Sequence, residues 1–182
     1  MEATMIEARK FTIDEYHQMA DAGLFAEDER VELIEGTIYA MTPIGRRHAA
    51  ILGKLNTLLA AALADRAIVW MQNPLPLPPY GEPEPDLLVL EPSRDFYQTQ
   101  SPDPQGVLLL VEVADSSLPF DRTVKLPVYA SAGIGECWLV NLIDDKIEIY
   151  REPAGRRYQA RSSIPFGQPV SPLQFPEVAI TL

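Results

Sequence analysis

The sequence predicts a mixed-sheet domain of the α/β or α+β class. Three observations carry that expectation. Residues 47–64 repeat leucines at helical spacing, two continuous apolar runs lie at 86–90 and Val107–Ala114, and strand patterns crowd the last third. Helices at the front with strands at the centre and back bury their apolar faces best as a layered mixed sheet. At 182 residues the chain is long enough for one domain with a full core and cramped for two. We therefore expect a single domain over 1–182, with its core at about 11–150 and C-terminal strands to 182.

Each element has its own signal. Thr12-Ile-Asp-Glu15 reads as a capping box opening a helix that Gly23 closes. Residues 31–41 form a strand interrupted by a turn at Glu35-Gly36. The helix at 47–64 places Ile51, Leu52, Leu55, Leu58, Leu59 and Leu63 on one stripe, with alanines between. A short strand follows at 68–72. Residues 73–84 are proline-rich, with Leu75 and Leu77 alternating with Pro76 and Pro78, which predicts an extended edge segment. The runs at 86–90 and Val107–Ala114 have the composition of strands covered on both faces, and 91–106 reads as a surface loop between them. A helix is expected over 121–132, stopped by Gly133. Pro127 conflicts with a straight one, so a kink or a late start are both open. Strands at 136–142 and 146–151 form a hairpin around Asp144-Asp145, and 158–161 adds one more strand.

Composition narrows the function classes. With 47% hydrophobic and 23% charged residues the chain reads as an ordinary globular protein. Its one cysteine, Cys137, rules out an intrachain disulfide. Two histidines, His17 and His48, make a Cys/His zinc site a poor fit. Met1 to Lys10 is polar and acidic, without an apolar signal core, and no stretch is long and apolar enough for a membrane span. A cytoplasmic protein is the default. The net charge of −11 argues against strong non-specific DNA binding, with basic clusters confined to Arg46, Arg47 and Lys54, and to Arg151, Arg156, Arg157 and Arg161. Neither a Gly-x-Ser-x-Gly elbow nor a phosphate loop occurs.

The chemistry-bearing residues stand out against apolar surroundings. Glu112 interrupts Val-Leu-Leu-Leu-Val-Glu-Val-Ala, and an ionised carboxylate buried without a partner costs several kcal/mol. Asp86 follows Pro85 at the head of the other apolar run. Carboxylates on neighbouring buried strands can hold a divalent cation against a phosphate, with the Val113 carbonyl completing the ligands. Lys125 is placed to orient an attacking water or to neutralise the phosphate. Each has a plainer reading: a turn for Asp86, an arginine partner for Glu112, a solvated helix position for Lys125. Glu35 offers a third carboxylate, with Glu32 as the alternative. His48 shares a helical face with Leu52, Leu55 and Leu59 and, with Gln72 at a strand end, is a candidate substrate contact. Tyr129, one turn beyond Lys125, reads as packing, and Cys137 as a buried small hydrophobe.

Taken in order, Val-Glu-Leu-Ile-Glu-Gly at 31–36, His48, Pro-Glu-Pro-Asp at 83–86, Val-Glu-Val at 111–113, Asp121 through Lys125 to Tyr129, and Gly-Ile-Gly-Glu-Cys-Trp at 133–138 resemble the Uma-two family of restriction-endonuclease-like proteins, part of the PD-(D/E)XK nuclease superfamily. The resemblance spans roughly 11–150. It implies a restriction-endonuclease-like fold, a central mixed sheet flanked by helices, and a magnesium- or manganese-dependent centre cutting DNA, often as a homodimer. By motif, Asp86 matches the first acid, Glu112 the second, and Glu35 or Glu32 the N-terminal acid. The superfamily lysine is expected two places after the second acid, where this chain has Ala114; Lys125 on the following helix is the match. Cys137 replaces an aromatic usual before the tryptophan. The expected activity is metal-dependent phosphodiester hydrolysis in DNA. A non-catalytic binding or assembly module on the same scaffold, and a small-phosphodiester hydrolase, are the alternatives.

Overall fold

The protein is described by a computed structural model over residues 7–182; Met1 to Ile6, part of the polar N-terminal stretch, lie outside the described residues. Helix α1, Ile13–Asp21, opens with the expected capping box. Glu15 N–H donates to the Thr12 hydroxyl at 3.2 Å, and the Glu15 carboxylate accepts from Thr12 N–H at 3.1 Å, satisfying two donors that the helix cannot. Strands β1, Val31–Ile34, and β2, Thr37–Ala40, form a hairpin apart from the main sheet. Both turn residues have positive φ, Glu35 at 50° and Gly36 at 83°, the backbone a two-residue hairpin demands. A side chain at Gly36 would also run into Lys10.

Helix α2, Arg46–Leu63, buries Leu52, Leu55, Leu59 and Leu63. It lies on one face of a six-stranded sheet whose spatial order is β3 to β8: Ile68–Met71, Leu87–Leu90, Val107–Ala114, Glu136–Asn141, Lys146–Ala154 and Arg157–Pro165. Every pairing is antiparallel except β5 with β6. That parallel pair needs a crossover, which helical segments α3, Leu118–Phe120, and α4, Leu126–Ser131, supply on the face opposite α2. Strand alternation then divides the core. Leu109, Val111 and Val113 of β5 pack under α2 with Trp138, whereas Leu110 and Ala114 meet Leu126 and Tyr129 of the crossover. Glu112, between Val111 and Val113, therefore points toward the crossover.

The crossover resolves the Pro127 conflict in a way the sequence did not predict. The helix starts early, at Leu118, and Asp121–Lys125 widens into a π-helical turn in which Leu126 N–H donates to the Asp121 carbonyl. The wider turn gives the proline ring the room that an α-helix denies it at the preceding turn. Neither a kink alone nor a late start describes it.

The proline-rich segment at 73–84 is likewise not an edge of the main sheet. Leu77 and Gly81 pair with each other across a tight reversal, and Glu82 bridges to Leu33 of β1. Prolines at 74, 76, 78 and 79 leave too few N–H donors for a regular strand, so the segment becomes a strap tying the hairpin to the sheet, with Leu75 wholly buried. After β8, Val170 and Ile180 form an isolated bridge rather than strands, and with Val178 they cover the α2-side core.

One buried carboxylate stabilises the sheet through a ring of donors. Glu148 of β7 is solvent-inaccessible and accepts from Asn141 Nδ2 at 3.0 Å, Tyr150 Oη at 2.7 Å, Arg161 at 2.9 Å, and Arg122. Burial alone would raise its pKa, but these donors outweigh burial and hold it at about 2, against an ordinary 4.5. A depressed carboxylate stabilises the fold above its unfolded pKa and loses that contribution as pH falls through its folded one. The difference corresponds to about 3 kcal/mol at roughly 1.4 kcal/mol per unit. Urea unfolding should show stability draining between about pH 4.5 and 2. Glu148→Gln should be destabilised by a similar amount at neutral pH and lack most of that acid dependence.

Candidate active site

Register brings the two principal acids together. Strand β4 pairs with β5 through Leu87 and Val111, so continuing one residue each way sets Asp86 opposite Glu112. The contact is reciprocal. Asp86 N–H donates to Glu112 Oε2 at 3.3 Å, and Val113 N–H donates to Asp86 Oδ2 at 2.8 Å. Asp86 Oδ1 lies 3.0 Å from His48 Nε2, near the start of α2. The π-helical turn carries Lys125 over the same point, with its Nζ 2.9 Å from Glu112 Oε1 and 3.1 Å from Glu32 Oε2. Tyr129, on the same side of the crossover, donates from its hydroxyl to Glu112 Oε1 at 2.5 Å.

All of these groups except Tyr129, which lies behind Glu112, line a cavity of about 390 Å³ between the hairpin, the first turn of α2 and the crossover. Four carboxylates, Glu32, Asp86, Glu112 and Asp121, are each at most 9% exposed there, and Lys125 is 4% exposed. Gln72 lines it too; its backbone N–H donates to the Asp86 carbonyl at 3.1 Å, and its φ of 48° marks the sharp end of β3. Tyr39 and Phe120, packed edge to face with centroids 4.9 Å apart, give the wall an apolar part.

Negative charge exceeds positive charge, and the ionisation reflects it. Burial pushes the Glu112 carboxyl up to about 8; Lys125 opposes this, while Asp121 and Asp86 add to it. Burial also raises Asp121, to about 6, despite Lys125 and a 2.7 Å hydrogen bond from Ser117 Oγ. Lys125 moves the other way. Desolvation disfavours its charge, but Glu112, Glu32 and Asp121 outweigh that and push the amine further above its ordinary range. It is an ammonium at every physiological pH.

The structure thus gathers Asp86, Glu112, Val113, Lys125, His48 and Gln72. It does not bring Glu35 to them. Glu35 occupies the hairpin tip, where its carboxylate pairs with Arg156, at 3.0 Å for one of two contacts, and those contacts hold its pKa below the ordinary value. Glu32, the alternative, does line the cavity, because its position within β1 turns its side chain inward to Lys125 and to Glu84 N–H at 3.1 Å. Sequence reasoning also missed Asp121 as a cavity residue and read Tyr129 as packing. The spacing of Asp121, Lys125 and Tyr129 along one predicted helix was the available signal.

Among the described residues no three His, Cys, Asp or Glu side chains are grouped closely enough to hold a metal ion by themselves. The donor set still suits one. Magnesium commonly takes one or two carboxylates and completes its shell with waters and substrate oxygens. Asp86 and Glu112 provide such hard donors, and the surplus of buried acid is what a cation relieves.

A family model, Uma2, described as "Putative restriction endonuclease", matches residues 13–182. The chain belongs to the Uma2 family. The match begins at the first residue of α1 and covers every strand of the sheet, so hairpin, cavity and crossover all lie within the Uma2 region. A crystal structure from Anabaena variabilis, described as a putative nuclease, shares the fold at a TM-score of 0.68. It is 17% identical, over 94% of this chain and 94% of that one. No curated protein matches the chain. The mixed six-stranded sheet flanked by helices is thus a fold that this Uma2 protein shares with that crystal structure. Among the described residues no helix is long and apolar enough to cross a membrane.

Proposed function

We propose that this Uma2 protein is a divalent-metal-dependent endonuclease that hydrolyses phosphodiester bonds in DNA, built as one restriction-endonuclease-like domain. The observation that carries the reading is the meeting of Asp86, Glu112 and Lys125 at one cavity wall. Asp86, Glu112 and the Val113 carbonyl are the groups that would hold magnesium or manganese. Such an ion, when bound, supplies Lewis acidity and a water that ionises near neutral pH.

The protein's own residues have separable tasks. Lys125, fixed as an ammonium, cannot accept a proton from water. Its role is electrostatic, stabilising charge that develops on the phosphoryl oxygens. Glu32 holds that ammonium in place from the hairpin side. Tyr129 and the Asp86 N–H orient the two oxygens of Glu112, and His48 orients Asp86 from α2. Gln72 and His48, which line the cavity, would touch the substrate. Two copies would supply the two centres needed to cut both strands, and the buried Cys137 thiol suits a reducing cytoplasm.

Plasmid cleavage with magnesium or manganese tests the reading. Wild type should nick or linearise DNA, EDTA should stop it, and Asp86→Asn should fall to background while keeping its fold by circular dichroism. Parallel assays on single-stranded DNA and a chromogenic small phosphodiester separate a DNA enzyme from a small-substrate hydrolase. Metal-dependent cleavage that survives in Asp86→Asn would overturn the assignment.

A further inference from the structure

A second cavity, of about 320 Å³, opens behind the crossover, and its charge is opposite to the first. Arg122, Arg156, Arg157 and Arg161 line it together with Tyr150 and Tyr158, and among the described residues no acidic side chain does. Four of the chain's 15 lysines and arginines thus face one groove in a protein of net charge −11. The π-helical turn is a wall common to both cavities: Asp121 and Lys125 face the acidic one, Arg122 the basic one.

We propose that this arginine groove binds the phosphodiester backbone of the nucleic acid whose scissile bond enters the acidic cavity. The choice of ligand rests on the nuclease reading; the groove itself rests on its own geometry. Arg122 and Arg161 are held by Glu148, which fixes their guanidinium planes without filling the groove. Arg161 also lies over the Tyr150 ring, 5.2 Å from its centroid. Arg156 is tethered by Glu35, and Arg157 makes no ion pair with any described residue. Arginine forks match phosphate oxygens in pairs. The tyrosines offer little for reading bases. Tyr150 is buried with its hydroxyl donated to Glu148, and Tyr158 donates to the Ile134 carbonyl. The groove therefore supplies charge rather than stacking, and its binding is sequence-independent.

The test is fluorescence anisotropy of a labelled DNA duplex with the full chain in EDTA, so that nothing is cut, across a salt series. Arg157→Glu should weaken binding about tenfold at moderate salt. It should also flatten the salt slope by about one unit for each phosphate that the variant no longer neutralises. Glu35→Gln, which frees Arg156, should tighten binding severalfold. Circular dichroism and urea unfolding of Arg157→Glu should match wild type, because Arg157 makes no ion pair with any described residue. Wild-type affinity and slope in both variants would overturn the groove while leaving cleavage, and so the nuclease reading, standing. The expected shifts without any metal-dependent cleavage by wild type would support the groove and sink the nuclease.

Discussion

Lys125→Met should lower the turnover number for DNA cleavage by about 10²–10³-fold, the typical effect of removing one preorganised donor from a developing oxyanion. Three carboxylates keep the Lys125 amine protonated in spite of burial, so its charge is constant and available when charge develops on phosphorus. The loss should appear in kcat with little change in KM, since a group acting on transition-state charge contributes little to ground-state binding. The same substitution has a structural cost. It leaves Glu32 and Glu112, each 3.1 Å or less from the amine, facing one another without a cation, and breaking a buried pair costs about 3–5 kcal/mol. Urea unfolding must therefore accompany the kinetics. Lys125→Arg separates the two effects, because it keeps the charge and most of the stability but changes the reach and shape of the donor group. A Met variant that folds and retains wild-type kcat would remove Lys125 from the chemistry.

Much of this site could be read from the chain, and the reasons are local. Glu112 was conspicuous because seven apolar or small neighbours surround it in sequence, and Asp86 because it heads a second apolar run. Both signals depend on burial, which apolar composition encodes directly. What composition does not encode is register. Glu35 and Glu32 are equally acidic and three residues apart, yet the hairpin turn sends one outward to Arg156 and alternation sends the other inward to Lys125. The crossover shows the same limit. Pro127 announced a departure from an α-helix, but only the packed structure chooses a π-helical turn, and that choice places Lys125 and Arg122 on opposite walls. The proline strap was misread for the converse reason: alternating leucines imitated a strand whose donors the prolines had removed.

Glu112→Gln should cost cleavage on the order of 10³-fold or more and, in addition, abolish stabilisation by divalent metal. A cation that binds the folded state alone stabilises it by about 2.7 kcal/mol at a hundred times its dissociation constant. In a chain of this size each kcal/mol moves the melting temperature by roughly 2–4 °C. Manganese should therefore raise the wild-type melting temperature by about 5–10 °C at that loading. Glutamine is nearly isosteric, and its one carbonyl oxygen can keep the hydrogen bond from Tyr129 while the contact with Asp86 N–H is lost, so the variant should fold with some loss of stability. Lys125 would retain Glu32 as a partner. What glutamine lacks is a negative charge, and a neutral amide oxygen is a poor substitute for a carboxylate toward a hard cation. Abolished cleavage together with abolished metal stabilisation would identify Glu112 as a ligand. An undiminished thermal shift alongside abolished cleavage would show that the metal is held elsewhere and confine Glu112 to positioning Lys125.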